Sequence, residues 1–369
     1  MYPRSLNGFN SMDPADEDSL KRVSQHLTKR QDNMDTVTTV GIDIAKNVFQ
    51  VHGVDKKGRC ILKKRLSREK LLDFMRNLPP CVVGIEACGS SHHWARELKK
   101  LGHEVKLMSP QYVKPYIKTN KNDCNDAEGI CEAVTRPSMH FVSAKSIEQQ
   151  DIQALHRIRQ RLIEGRTALV NQIRDLLAEY GIVMAQGVSV VRKKLPEILS
   201  DENNNLISLA KEIFRPLYEE LETLDKKIKE ADMCVEKISK ANEVCQRLVK
   251  VEGIGPLTAT ALVAGVGDVS VFKNGRQMAA WLGLVPRQRS SGNKQLLLGI
   301  SKRGDSYLRT LLIHGARSVV SRVKDGSSWL MGLIRRGGSN KACVALANKN
   351  ARVLWALMAQ GTEYQPRAL

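Results

Sequence analysis

The chain has 369 residues, with 58 Lys and Arg against 39 Asp and Glu and a formal net charge of +19. That length gives a prior of two to three domains, and so basic a field is not what an enzyme of small neutral molecules needs. Eight cysteines with no C-x-x-C pair and no Cys/His cluster of zinc-ligand spacing exclude a disulfide scaffold and a zinc ribbon. The absence of long apolar runs leads to the expectation of a soluble, cytoplasmic protein with no membrane partner.

Residues 1–34 carry 5 basic and 5 acidic side chains and no periodic apolar pattern, and are expected to be a disordered extension, with Met34 as an alternative start. Residues 35–143 carry 18 basic and 12 acidic side chains. Here the pattern predicts strands over 37–43, 47–54 and 59–66, joined by short turns. A helix over 68–78, a strand over 81–87, a helix opened by Gly89-Ser90-Ser91, a strand over 104–108 and helices near 110–117 and 123–135 follow. A meander followed by alternating helices and strands is the order of an RNase H-like (RuvC-like) α/β domain. Sugar kinases of the actin-like fold share this start but need further Gly-rich phosphate loops, which are not evident here.

Four carboxylates fall at informative places in this order. Asp43 ends the first strand and Glu86 the fourth; if those strands are parallel neighbours, the two side chains emerge side by side. Asp123 and Asp126, three apart on a helix, share a face. Clustered carboxylates repel unless a cation neutralises them, and hard oxygen ligands select Mg²⁺ or Mn²⁺, as in metal-assisted phosphoryl transfer. Each has a plain alternative: a turn cap for Asp43, a solvated strand end for Glu86, a helix cap and first-turn acid for Asp123 and Asp126.

Residues 144–246 are nearly neutral, with 16 basic and 17 acidic side chains. Leu155, Ile158, Leu162, Leu169, Ile173, Leu176 and Tyr180 form one heptad-like seam, and Leu217, Leu221, Leu224, Ile228, Ala231, Val235 and Ile238 another. A polar break with Pro196 and three asparagines separates them. This predicts a helical coiled-coil spacer, either two antiparallel helices of one chain or a dimerising coiled coil.

Residues 247–369 carry 19 basic and 5 acidic side chains, net +14, and are the expected grip on a polyanion. This part is predicted to be mainly α-helical. Gly253-Ile254-Gly255 before Pro256 resembles a helix-hairpin-helix element whose glycines let backbone N–H groups approach a phosphate. Arg287, Arg289, Lys294, Lys302 and Arg303 surround Ser290-Ser291-Gly292, an arrangement suited to a basic loop holding phosphate oxygens. The serine is either a phosphate contact or a nucleophile. Asp305 reads as a helix N-cap.

The motifs GIDIAKNVFQVHGVD, GIEACGS, KNDCNDAE, VEGIGPLTA, GLVPRQRSSGNK and SKRGDSYLRTLLIHGA, in this order, resemble those of insertion-sequence transposases with a RuvC-like DEDD domain and a C-terminal serine domain, the family of bridge-RNA-guided recombinases. The resemblance runs from about Asp35 to Gln360. It implies that Asp43, Glu86, Asp123 and Asp126 are the metal-binding carboxylates. It also implies that Ser291 attaches covalently to DNA, with Ser290 as its neighbour. A dimeric or tetrameric homo-oligomer and a structured guide RNA that pairs with DNA are implied as well. The alternatives are a metal-dependent nuclease or junction resolvase in which water attacks, and a non-catalytic nucleic-acid-binding protein.

Overall fold

The computed structural model describes residues 36–117, 123–292, 294–323 and 329–365; the N-terminal extension, residues 1–34, lies outside them. The chain divides into two compact units, Met1–Ala144 and Lys145–Leu369.

The first unit is a mixed α/β domain. Strands β1 (Thr39–Ile44), β2 (Val48–Val54) and β3 (Cys60–Ser67) form an antiparallel meander. Helix α1 (Leu71–Arg76) leads to β4 (Val82–Glu86), α2 (Ser91–Lys100) to β5 (Glu104–Met108), and α3 (Pro110–Val113) and α4 (Asp123–Val134) to a short β6 (Phe141–Val142). The sheet order is β3-β2-β1-β4-β5-β6, with β1, β4 and β5 parallel. Side chains alternate across a strand, so one sequence feeds two faces. Val40, Ile42, Val83 and Ile85 are buried with Phe49, Trp94 and Leu98 on the face that α1 and α2 cover. On the opposite face β1 and β4 present glycines, Gly41 and Gly84, where α4 packs.

The second unit is helical. Helix α5 (Ile147–Ala178) opens with a capping box, Ser146 Oγ accepting from Gln149 N at 3.1 Å and Gln149 Oε1 accepting from Ser146 N at 3.0 Å. It packs antiparallel to α7 (Ser208–Ala241) in the same chain, with Arg159–Asp232 at 2.5 Å and Arg166–Asp225 at 2.9 Å joining the pair about two turns apart. Between them α6 (Val188–Ser200) adds Val191 and Leu195 to a core with Ile173, Leu177, Phe214 and Leu221.

Two expectations for this stretch are corrected. Pro196 does not break a helix but sits inside α6, and the connection falls at the asparagines, where Asn204 Oδ1 accepts from Leu206 N at 3.0 Å. The first seam also departs from its predicted face. Ile158, Leu176 and Tyr180 are exposed, and the buried stripe instead runs through Leu162, Leu169, Val170, Ile173 and Leu177. A straight helix of 3.6 residues per turn drifts about 20° per heptad against a strict 3.5 repeat, so a heptad reading slides off the packed face.

Helices α8 (Glu243–Leu248), α9 (Pro256–Val266), α10 (Gly275–Trp281), α11 (Ser306–Val320), α12 (Trp329–Gly337) and α13 (Ser339–Gln360) share a further core that includes Leu262, Met278, Leu312 and Leu346. Out of it projects a two-stranded ribbon, β7 (Pro286–Ser291) and β8 (Lys294–Ile300), exposed along nearly its whole length. None of the described helices is long and apolar enough to cross a membrane.

Candidate active site

The acidic edge follows from strand register. Thr39↔Val82 through Ile42↔Ile85 pair in parallel, so Asp43 and Glu86 are the next residues on two adjacent strands. Both are half-buried. They lie two residues beyond Gly41 and Gly84 and therefore on the same face. A Cβ at Gly41 would stand 2.3 Å from Ala127 O and 2.4 Å from Cys131 N, and one at Gly84 would stand 2.8 Å from Val134 Cβ. Those absent side chains let α4 lie directly on the sheet. Asp126, the residue before Ala127, is thereby carried to the face that bears the two strand-end carboxylates.

Asp123 begins α4, but its side chain lies outside the described residues. Among the described residues, no group of three or more His, Cys, Asp or Glu stands close enough to hold a metal ion. Asp43 and Glu86 leave the sheet on the face that carries α4, the helix of Asp126. As a donor set they are all hard oxygen, which fits Mg²⁺ or Mn²⁺ and not a soft metal.

Cys88, a residue the sequence did not single out, reports on the field at this edge. Its thiol lies 3.9 Å from Ile44 O, at the end of β1. Burial pushes the thiol pKa up, and the Glu86 and Asp43 carboxylates push it further in the same direction. Both carboxylates thus act on one point in the turn after β4.

The serine region is not the loop the sequence suggested but the ribbon β7–β8. Its base is closed by backbone contact. A Cβ at Gly283 (φ +71) would meet Arg303 O at 2.1 Å, and one at Gly304 (φ +84) would meet Trp281 O at 1.9 Å. Arg309 Nη1 donates to Leu282 O at 3.2 Å and to Arg303 O at 3.3 Å, and Asn348 Nδ2 donates to Leu284 O at 3.1 Å. The ribbon's root is therefore held by contacts with the helices around it.

Register separates the two serines. Ser291 pairs with Lys294 and Arg289 with Leu296, so Ser291 shares its face with Arg289 and Lys294. Ser290 pairs with Gln295 and Gln288 with Leu297, which places Ser290 on a neutral face, where its Oγ accepts from Gln288 Nε2 at 2.7 Å. The expected single nest of cations is also redistributed. Lys302 and Arg303 lie past the far end of β8, and at about 3.3 Å per strand residue that is roughly 25 Å along the ribbon from Ser291. They belong to the root, Arg287 to the lower part of β7, and only Arg289 and Lys294 to the tip.

The paired glycines divide in the same way. Gly253 (φ +82) is taken up by packing, since a Cβ there would meet Gly315 O of α11 at 2.7 Å; Gly255, at the N-cap of α9, has open space around it. Asp305 caps α11, its Oδ1 accepting from Tyr307 N at 2.8 Å and Leu308 N at 3.0 Å.

Beneath these elements the fully packed His156 joins three helices. Its Nδ1 lies 2.9 Å from Tyr307 Oη and its Nε2 3.0 Å from Thr260 Oγ1. Thr260 donates its own hydroxyl to Pro256 O at 2.8 Å, so it accepts from His156 Nε2–H, and Nδ1 accepts from Tyr307. Burial, with the charge of Arg159, lowers the imidazole pKa to about 4.

Comparisons with known proteins give the chain a family. Residues 40–182 match a DEDD transposase family of the IS110 type, and residues 245–329 the family described as Transposase IS116/IS110/IS902. The chain is 50% identical over 335 residues to a probable family 20 transposase of Pseudomonas aeruginosa, covering 89% of this chain and 99% of that one. It is 46% identical over 361 residues to the transposase for insertion sequence element IS1111A of Coxiella burnetii, covering 96% and 99%. It is 42% identical over 335 residues to the transposase for insertion sequence element IS1328 of Yersinia enterocolitica, covering 90% and 99%. With the matches spread over both units and nearly the full length of these relatives, the chain belongs to the IS116/IS110/IS902 family of transposases, whose work is DNA transposition.

Proposed function

We propose that this chain cuts and rejoins DNA strands through a covalent serine intermediate, assisted by a divalent cation. In this reading the first unit is an RNase H-like domain, which its sheet order and its parallel β1, β4 and β5 support. Asp43, Glu86, Asp123 and Asp126 hold Mg²⁺ or Mn²⁺, which supplies charge neutralisation at the scissile phosphate. The observation that carries the reading is the register that seats Asp43 and Glu86 side by side, with two glycines admitting the helix that bears Asp126.

Ser291 Oγ loses its proton and attacks phosphorus; the bond to one deoxyribose oxygen breaks, and that oxygen leaves as a hydroxyl after taking up a proton. A strand hydroxyl then attacks the phosphoserine and releases Ser291, so the phosphodiester energy is conserved and no ATP is consumed. The cationic face that Ser291 shares with Arg289 and Lys294 favours it over Ser290 for this role. The family resemblance supports a homo-oligomer, dimer or tetramer, directed to its DNA by a structured guide RNA.

Trapping on denaturing gels tests the mechanism. Wild type and Ser290→Ala are expected to yield a protein–DNA adduct in Mg²⁺, and Ser291→Ala none. An adduct that survives in Ser291→Ala and vanishes in Ser290→Ala moves the nucleophile by one residue. Mg²⁺-dependent cleavage with no adduct in wild type replaces the reading with a hydrolytic nuclease.

A further inference from the structure

We infer that the groove between the β7–β8 ribbon and α13 is a binding site for an unpaired DNA strand, with Trp329 as the platform on which one base stacks. The inference deepens the transposase reading and rests on it.

The groove has a volume of about 1340 Å³, beyond the roughly 300–1,000 Å³ of small-molecule pockets. Leu297 and Ile300 of the ribbon and Val344 of α13 give it an apolar floor. Its rim carries Arg287, Lys302, Lys341 and Arg352, and none of the described residues that line it is acidic. Charge of one sign around an apolar floor selects a polyanion with apolar faces, and a nucleic acid strand with its bases turned out is such a ligand.

Trp329 makes the choice of an unpaired strand. It lines the groove and is 43% exposed, while its neighbour Leu330 is fully buried in the core, so the indole contributes little to the packing that holds α12. Lys349 Nζ lies over the ring at 4.9 Å. A base in a duplex is stacked on both faces and cannot reach such a ring; an unpaired base can, with Lys349 passing to the adjoining phosphate. Lys349 and Arg352 also line a second groove of about 610 Å³, which adds Arg276 and one acid, Glu363. The occupant is DNA because the wall of the groove is the ribbon that carries Ser291, and strands there open during cleavage and exchange.

The test measures binding of the full-length protein to a short oligothymidylate, the matching oligouridylate, an abasic oligomer of equal charge and a mixed-sequence duplex. Trp329→Ala is expected to weaken oligothymidylate binding roughly tenfold, within the range for one stacked base, and to leave duplex and abasic binding within about twofold. Trp329→Phe, which keeps a stacking face, should retain most of the affinity, and thermal melting checks that both variants are folded. Equal losses on all probes, or no loss on oligothymidylate, overturns the inference. Tighter and more Trp329-dependent binding of oligouridylate overturns the assignment to DNA. The wild-type serine adduct is scored separately. An adduct without a Trp329 effect leaves the catalytic reading standing and removes this one; a Trp329 effect without an adduct does the reverse.

Discussion

The acidic edge and the serine ribbon are built by opposite means. Asp43 and Glu86 are placed by a six-stranded sheet with cores on both faces, and their neighbours Gly41 and Gly84 are fixed by a helix lying on them. Ser291 stands at the tip of two strands with no core of their own, defined only at the root by Gly283, Gly304 and Arg309. An isolated two-stranded ribbon is marginal in water, so this one depends on the contacts at its root. Placement of the carboxylates thus rests on a packed sheet, and placement of the serine on strand pairing and the contacts at the ribbon's root.

Asp43→Asn probes that difference most sharply. A ligand contributing about 4 kcal/mol of transition-state charge stabilisation is worth roughly 10³-fold in rate. Strand cleavage in Mg²⁺ is expected to fall by at least that factor. The urea midpoint should stay or rise, since the change removes one of two neighbouring negative charges. A large drop in the midpoint would mean that Asp43 holds the fold rather than the reaction.

Glycine substitutions compare the two regions directly. Gly41→Ala puts a methyl against the backbone of Ala127 and Cys131, neither of which can move without the helix, and should cost about 3 kcal/mol of unfolding free energy. Gly292→Ala at the ribbon tip meets nothing within 4 Å and bears only the penalty of its φ of +56, about 1 kcal/mol. Urea denaturation of both variants checks the ranking; equal costs would show that the tip is as closely packed as the sheet.

His156 gives a pH signature to the second unit. Neutral in the fold down to about pH 4 and protonated in the unfolded chain below about 6.5, it leaves stability unaffected above the higher value. As pH falls between the two, only the unfolded state takes up the proton and stability declines, by up to about 3 kcal/mol; below the lower value its contribution is constant. His156→Gln should flatten that part of the stability profile. An unchanged slope would assign the acid sensitivity to other groups.

The sheet was legible because its apolar alternation and short turns are local signals, and the strand-end positions of Asp43 and Glu86 came with them. The ribbon was not. Residues 287–292 and 294–299 are exposed on both faces and so have no alternation to read, and the ribbon's anchors are contacts between residues 281–283 and 303–304 that appear only after folding. The same holds for His156, which in sequence is one histidine on a long helix and becomes a junction only when α9 and α11 close over it. The four carboxylates could be named from their motifs, but what seats Asp43 beside Glu86 is the parallel pairing of β1 with β4, which forms only on folding.

Arg289→Ala is the smallest change and bears on the ribbon alone. The side chain is exposed on a strand without a core, so the expected effect on stability is within about 0.5 kcal/mol. If Arg289 meets one phosphate beside Ser291, its loss weakens DNA binding by a similar factor on every sequence and lowers the slope of log K against log salt by about one. Replacement by Lys, which keeps the charge but not the planar fork, should restore the slope and leave a shortfall in adduct yield, because bidentate geometry orients the phosphate as well as attracting it. Titrations at several salt concentrations distinguish the cases. A slope that does not change in Arg289→Ala would place the phosphate away from the face that Arg289, Ser291 and Lys294 share, and would leave the preference for Ser291 over Ser290 resting on the family resemblance alone.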